Sequence, residues 1–306
     1  MSFKMEDLVG YILGESTLSL TASGIALAVV LFFAYVGVGG LIETASFPKP
    51  PIVEYNSAMP EDQKCKELLG ALTHQLKYEI EDSKFGWTAN AIFVNRWLLD
   101  NRVNRQIGVI NAYQELFSIF SIDMATLGHG DEENKSLKTA RLDYFNGGAE
   151  RIFQIPGFTS KCRSGFALID KYTADVARHK ATYNIKSDDI YSAITTISGP
   201  KVLGKAVSLL SDCHSLPFYE LDNRIYQAQG VAIVARDFLN AIYTLYPQFC
   251  DKNNEENMRV AMQYLNRVAS YNPLYITAWF NHGEHVVSDL MFAIERINGI
   301  ANSIKI

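Results

Sequence analysis

The sequence predicts an all-α protein: a single N-terminal transmembrane helix followed by a multi-helix, bundle-like domain with short loops. Three observations lead there. Residues 16–42 hold no charged side chain. From about residue 61 onward apolar residues recur at the helical period. Convincing alternating strands are missing, and PIVEY (51–55) is the only short candidate. With 48% hydrophobic and 20% charged residues the chain is neither disordered nor collagen-like, and a net charge of −5 argues against a nucleic-acid partner.

The elements follow in order. Residues 1–15 form a short tail. As a helix, 16–42 rises roughly 40 Å, more than the ~30 Å hydrocarbon core of a bilayer requires. A cleaved signal peptide wants a basic flank, but here Lys4 stands against Glu6, Asp7 and Glu15. An uncleaved anchor in the lipid bilayer is therefore expected. Gly24 and Ala28, with Gly37, Gly39 and Gly40, are small residues that let a second membrane helix approach closely. Lysines near the two ends do not fix the orientation. Residues 43–60 contain Pro48, Pro50, Pro51 and Pro60 and read as a stiff, extended linker.

Residues 61–306 read as one all-α soluble domain. Pro60-Glu61-Asp62 suits a helix start, with carboxylates against the helix dipole. Cys65, Leu68, Leu69, Leu72, Leu76 and Ile80 then make one apolar stripe, with Lys64, Glu67, Lys77 and Glu81 largely outside it. Further patterns cover about 93–124, 134–153, 160–182, 187–198, 201–214, 219–246, 253–271 and 283–303. The expected core includes Leu72, Leu76, Ile110, Phe117, Ile225, Leu239, Leu290 and Ile294. Brief loops imply antiparallel packing of successive helices.

Catalytic signatures are missing: there is no Gly-x-Ser-x-Gly, P-loop or dinucleotide fingerprint. Cys65, Cys162, Cys213 and Cys250 form no Cys-x-x-Cys pair, which leaves two disulfides or buried thiols as readings. The sharpest polar cluster is Asn281-His282-Gly283-Glu284-His285. Histidines three apart can share a metal with Glu284 or Asp222, yet the spacing suits a capping box better, with Asn281 as N-cap and Glu284 at the third helical position. No cofactor is expected. The run 99–106, with Asp100, Asn101 and Gln106, reads as a solvated helix start, a binding surface or a polar network. Asp222 and Tyr226 on the long helix 219–246 are further structural or interaction candidates.

Several stretches together resemble one family. LLDNRVNRQIGV (98–109), IPGFTSKCRSGFALIDKY (155–172), YELDNRIYQAQG (219–230) and FNHGEHVVSDLMFAIERINGI (280–300) are similar, in order, to segments of domain-of-unknown-function family 2333, membrane-anchored proteins of Gram-negative bacteria. Where that family carries Asp-Asp and an Arg before the glycine, this chain has Asn223 and Gln229, and His285 is outside the family pattern. The resemblance implies an inner-membrane anchor, a cytoplasmic N-terminus, a helical periplasmic domain and no assigned activity.

Two functions are thus expected in order. The first is a non-catalytic, membrane-anchored interaction or scaffold component of the bacterial envelope that binds other envelope proteins or itself. The second is a ligand binder or metal-dependent enzyme with a polar pocket near Asp222, His282 and His285.

Overall fold

The computed structural model describes residues 21–35, 38, 51–91, 99–126, 132–153, 155–249, 254–273 and 276–304. They are overwhelmingly helical, and no strand occurs among them. The helices are α1 (Glu61–Lys77), α2 (Asp100–Ile119), α3 (Lys135–Thr139), α4 (Phe158–Ala177), α5 (Ser187–Ser198), α6 (Leu203–Leu209), α7 (Phe218–Leu245), α8 (Glu255–Ala269) and α9 (His282–Ser303). The first three each continue into a wider π turn, at Tyr78–Asp82, Phe120–Met124 and Ala140–Tyr144. Residues 21–35 are helical and exposed, but no helix among the described residues is long and apolar enough to cross a membrane. Gly37, Gly39 and Gly40, with much of the expected span, lie outside the described residues; Gly24 and Ala28 lie on the exposed helical run.

Local chemistry explains the helix starts. Glu61 and Asp62 occupy the first turn of α1, and the Pro60 carbonyl accepts the Lys64 N–H at 3.0 Å, so the proline precedes the helix rather than opening it. Asn134 caps α3 by accepting from the Ser136 and Leu137 amides. At α5 the Asp189 carboxylate reaches back to the Lys186 N–H at 2.9 Å.

The centre of the fold is the pair α2–α7, the most extensive helix contact among the described elements. Its register is parallel: Asn104 Nδ2 donates to Asn223 Oδ1 at 2.7 Å, and four residues further on Gly108 faces Gln227. Brief loops predict antiparallel neighbours in sequence, and α8 and α9 conform, with Arg267 near Asp289 and Asn254 bonded to Ser303. The central pair departs from that rule because its members are distant in sequence. Lys64 departs from its expected exposed position too. It is buried, its ammonium 2.8 Å from Glu61 and 5.0 Å over the Tyr246 ring. α7 is buried nearly all round, as a central helix must be. Every expected core residue is buried except Ile294, which is partly exposed and packs against the core.

Two glycines allow that crossing. A Cβ on Gly108 would sit 2.0 Å from the Gln227 carbonyl oxygen, and one on Gly230 would sit 2.1 Å from the Arg105 carbonyl oxygen. These obstacles are backbone, so they cannot rotate away. Gly108→Ala and Gly230→Ala are therefore each expected to lower folding stability by about 2–3 kcal/mol, measured by denaturant unfolding. Gly70→Ala is the control: its Cβ meets nothing, and loss of a mid-helix glycine should be neutral or stabilising by about 0.5–1 kcal/mol.

Candidate functional site

The polar residues singled out in the sequence gather at the end of the bundle where α2 and α7 both begin. Glu79 sits there on the π turn after α1 and is 0% exposed. One carboxylate oxygen accepts from Arg105 Nε at 2.9 Å and Gln75 Nε2 at 3.1 Å. The other accepts from Gln106 Nε2 at 3.0 Å and lies 2.9 Å from Arg102 Nη2. Arg102 also donates to the Gly86 carbonyl and to Ser83. Burial and the neighbouring Arg105 push Arg102 down to about 9, and the guanidinium still stays cationic at neutral pH. Gln106 completes the network by accepting from Thr88 and Ala89 amides at 2.8 and 3.1 Å. The run 99–106 is thus a buried polar network rather than a solvated start.

A second polar group lies beside it. Burial raises Asp222 to about 7, with the charge of Asp100 adding to the effect. Asp100 is itself raised by burial, although the Asn101 N–H bonds its Oδ1 at 3.0 Å. Burial, then Asp222, pushes the Tyr226 phenol up; its hydroxyl donates to Asn272 at 3.4 Å. Asp100 and Asp222 are thus two partly buried carboxyl groups, and the charge of the first disfavours ionisation of the second. Arg224 bonds Asp212 at 2.8 Å and Glu220 at 2.6 Å and leaves Asp222 alone.

The Asn281–His285 segment differs from its expected cap. Asn281 adopts a left-handed conformation (φ 56°) and its side chain makes no capping bond. His282 accepts the Thr277 N–H at Nδ1, 3.3 Å away, which ties the preceding turn to α9. Burial lowers its pKa, as does neighbouring His285. His282, His285 and Asp222 do not converge on one point. The donors that do converge among the described residues are Cys213, His214 and Glu284, all within 4.8 Å of one another. Sequence reading named Glu284 and Cys213 separately, missed His214 and did not bring the three together, because Cys213-His214 lies in the turn after α6, far from Glu284 along the chain. Cys65, Cys162 and Cys213 are buried and unbridged, and Cys250 lies outside the described residues.

These three donors stand at one end of a cleft of about 1020 Å³ between α5, α6 and α9. Its lining is mainly apolar, with Val207, Leu210, Val287, Met291, Phe292 and Ile294. Met291 is 58% exposed and Phe292 44%. Comparison with protein-family models, curated proteins and solved structures found no match to this chain.

Two predictions follow from the buried charges. Glu79→Leu strands Arg102 and Arg105 in the interior and should cost about 3–5 kcal/mol in unfolding experiments. Asp222 holds its proton to higher pH when folded than its ordinary value of 3.8 allows when unfolded. The folded state thus binds more protons between about pH 4 and pH 7, and stability falls as pH rises through that window. Asp222→Asn should remove the slope and raise stability at pH 8 by about 2 kcal/mol, seen as a flatter profile of melting temperature against pH.

Proposed function

We propose that this chain is a membrane-anchored, non-catalytic interaction module that receives an amphipathic helix of another envelope protein in the α5–α6–α9 cleft. The observation that carries the reading is the open apolar lining of that cleft, with Met291 exposed and Phe292 partly so, stacked on Tyr264 of α8. An open apolar groove accepts the apolar face of a helix, and methionine adapts to irregular partners. Glu284 and Glu295 on its lining favour a partner whose apolar stripe has basic flanks.

Anchorage rests on the uncharged residues 16–42. Exposed aromatic residues support it. Phe218, Tyr219, Trp279 and Phe280 are exposed where α7 and α9 begin. The parallel registers put that end beside Lys84, whose ammonium lies 5.8 Å from the Tyr35 ring of the uncharged helical run. Aromatic side chains suit the headgroup region. On this reading the bulk of the chain is periplasmic and the anchor is in the inner membrane, in keeping with the resemblance to domain-of-unknown-function family 2333, which rests on the four sequence segments alone. The polar alternative near Asp222, His282 and His285 is weaker, because those three side chains do not converge and His282 Nδ1 is already engaged by the Thr277 N–H.

The test is photo-crosslinking in membranes from a probe at Met291, followed by mass identification of the adduct. A discrete adduct whose peptide is an amphipathic helix of an envelope protein is expected, and Phe292→Glu should reduce it at least about tenfold while the domain stays folded, with only the small stability loss of its stack on Tyr264. No adduct, or a yield indifferent to Phe292→Glu, overturns the reading.

A further inference from the structure

The polar end of the cleft has a different chemistry from its apolar floor. Cys213 lies on the turn that follows α6 and is 4% exposed. His214, next in the chain, has a side chain that is 76% exposed, and its Nδ1 lies 2.5 Å from Glu284 Oε1. Glu284 stands in the first turn of α9, three-quarters buried, with its carboxylate facing both residues. Contact between the turn and the helix is made possible by Gly283. A Cβ there would sit 2.5 Å from Cys213 Cβ and 3.1 Å from its sulfur. Any larger residue would push the thiol away from the carboxylate.

From these residues we infer that Cys213, His214 and Glu284 bind one divalent transition-metal ion of the zinc class. The donor set is a thiolate, an imidazole and a carboxylate, each a zinc ligand, and their atoms already lie close enough to share one ion. Three protein ligands leave a fourth tetrahedral position, and exposed His214 places that position toward water at the mouth of the cleft. Hard cations such as magnesium or calcium prefer all-oxygen shells, so a sulfur and a nitrogen select against them. On binding, the cation forms a bond to the Cys213 sulfur and the thiol proton leaves to solvent. Nothing in this inference depends on a partner helix entering the cleft.

The test uses the full chain in mild detergent, stripped with a chelator and titrated with Co²⁺, then with Zn²⁺. Cobalt should give a thiolate-to-metal charge-transfer band that saturates at one ion per chain, and zinc should displace it. Cys213→Ser should abolish the band. His214→Ala and Glu284→Gln should each weaken affinity at least about tenfold and remove the rise in melting temperature that zinc gives the parent. His285→Ala, nearby on α9 but outside the trio, should change nothing. A missing band, a band that survives Cys213→Ser, or equal effects of His285→Ala and His214→Ala would overturn the inference. If Cys213→Ser does not fold, the exposed His214 and the Glu284→Gln variant decide the matter, since neither substitution empties the core. The crosslinking experiment at Met291 needs no metal, so failure of either proposal is visible separately.

Discussion

A fully buried carboxylate organises one end of this protein. A carboxylate in the interior needs donors, and Glu79 takes them from α1 itself through Gln75 and from α2 through Arg102, Arg105 and Gln106. Those same side chains then hold the backbone at Gly86, Thr88 and Ala89. One acid thus locks the end of α1, the segment after it and the register of α2. Arg105 and Gly108 stand one turn apart on α2, so the network that holds the helix also presents its glycine face to α7. Polar networks of this kind are stabilising only when their members are satisfied together, and for that reason they specify a single arrangement.

Much of the architecture was legible from periodicity. The stripe Ile225, Ala228, Ala232, Ala235, Leu239 and Ile242 is buried throughout on α7, and α5 begins and ends where its pattern does. Glu79 was not legible. It stands among Tyr78, Glu81 and Asp82 in what reads as a solvated face, and a π turn changes the pitch there, so a 3.6-residue period misplaces it. The parallel α2–α7 pairing was likewise hidden, since periodicity says which face of a helix is apolar but not which helix meets it.

The candidate sites show the same division. Gln106 was noticed for its polarity, and its role as a hub emerged only once Thr88 and Ala89 were placed against it. The cysteine, histidine and carboxylate beside the cleft had no spacing to reveal them, because two come from a turn and one from a distant helix. Residues 99–109 and 219–230 are the two sides of the central crossing. There Asn223 accepts from Asn104, and Gln229 donates to the Ala269 and Tyr271 carbonyls.

The pairing of α2 with α7 also governs how the chain can reach its native state. Its contacts join residues separated by more than a third of the polypeptide, so they carry a loop-closure cost that local helices do not. During synthesis the glycine face of α2 emerges long before the surface it must meet. Before α7 is complete, α1 and α2 can already meet each other directly and through Glu79 and its donors, which span neighbouring parts of the chain. The early-made half therefore has its own aromatic cluster of Tyr113, Phe117, Phe145 and Phe166 to close on, and the glycine face of α2 is the part covered last.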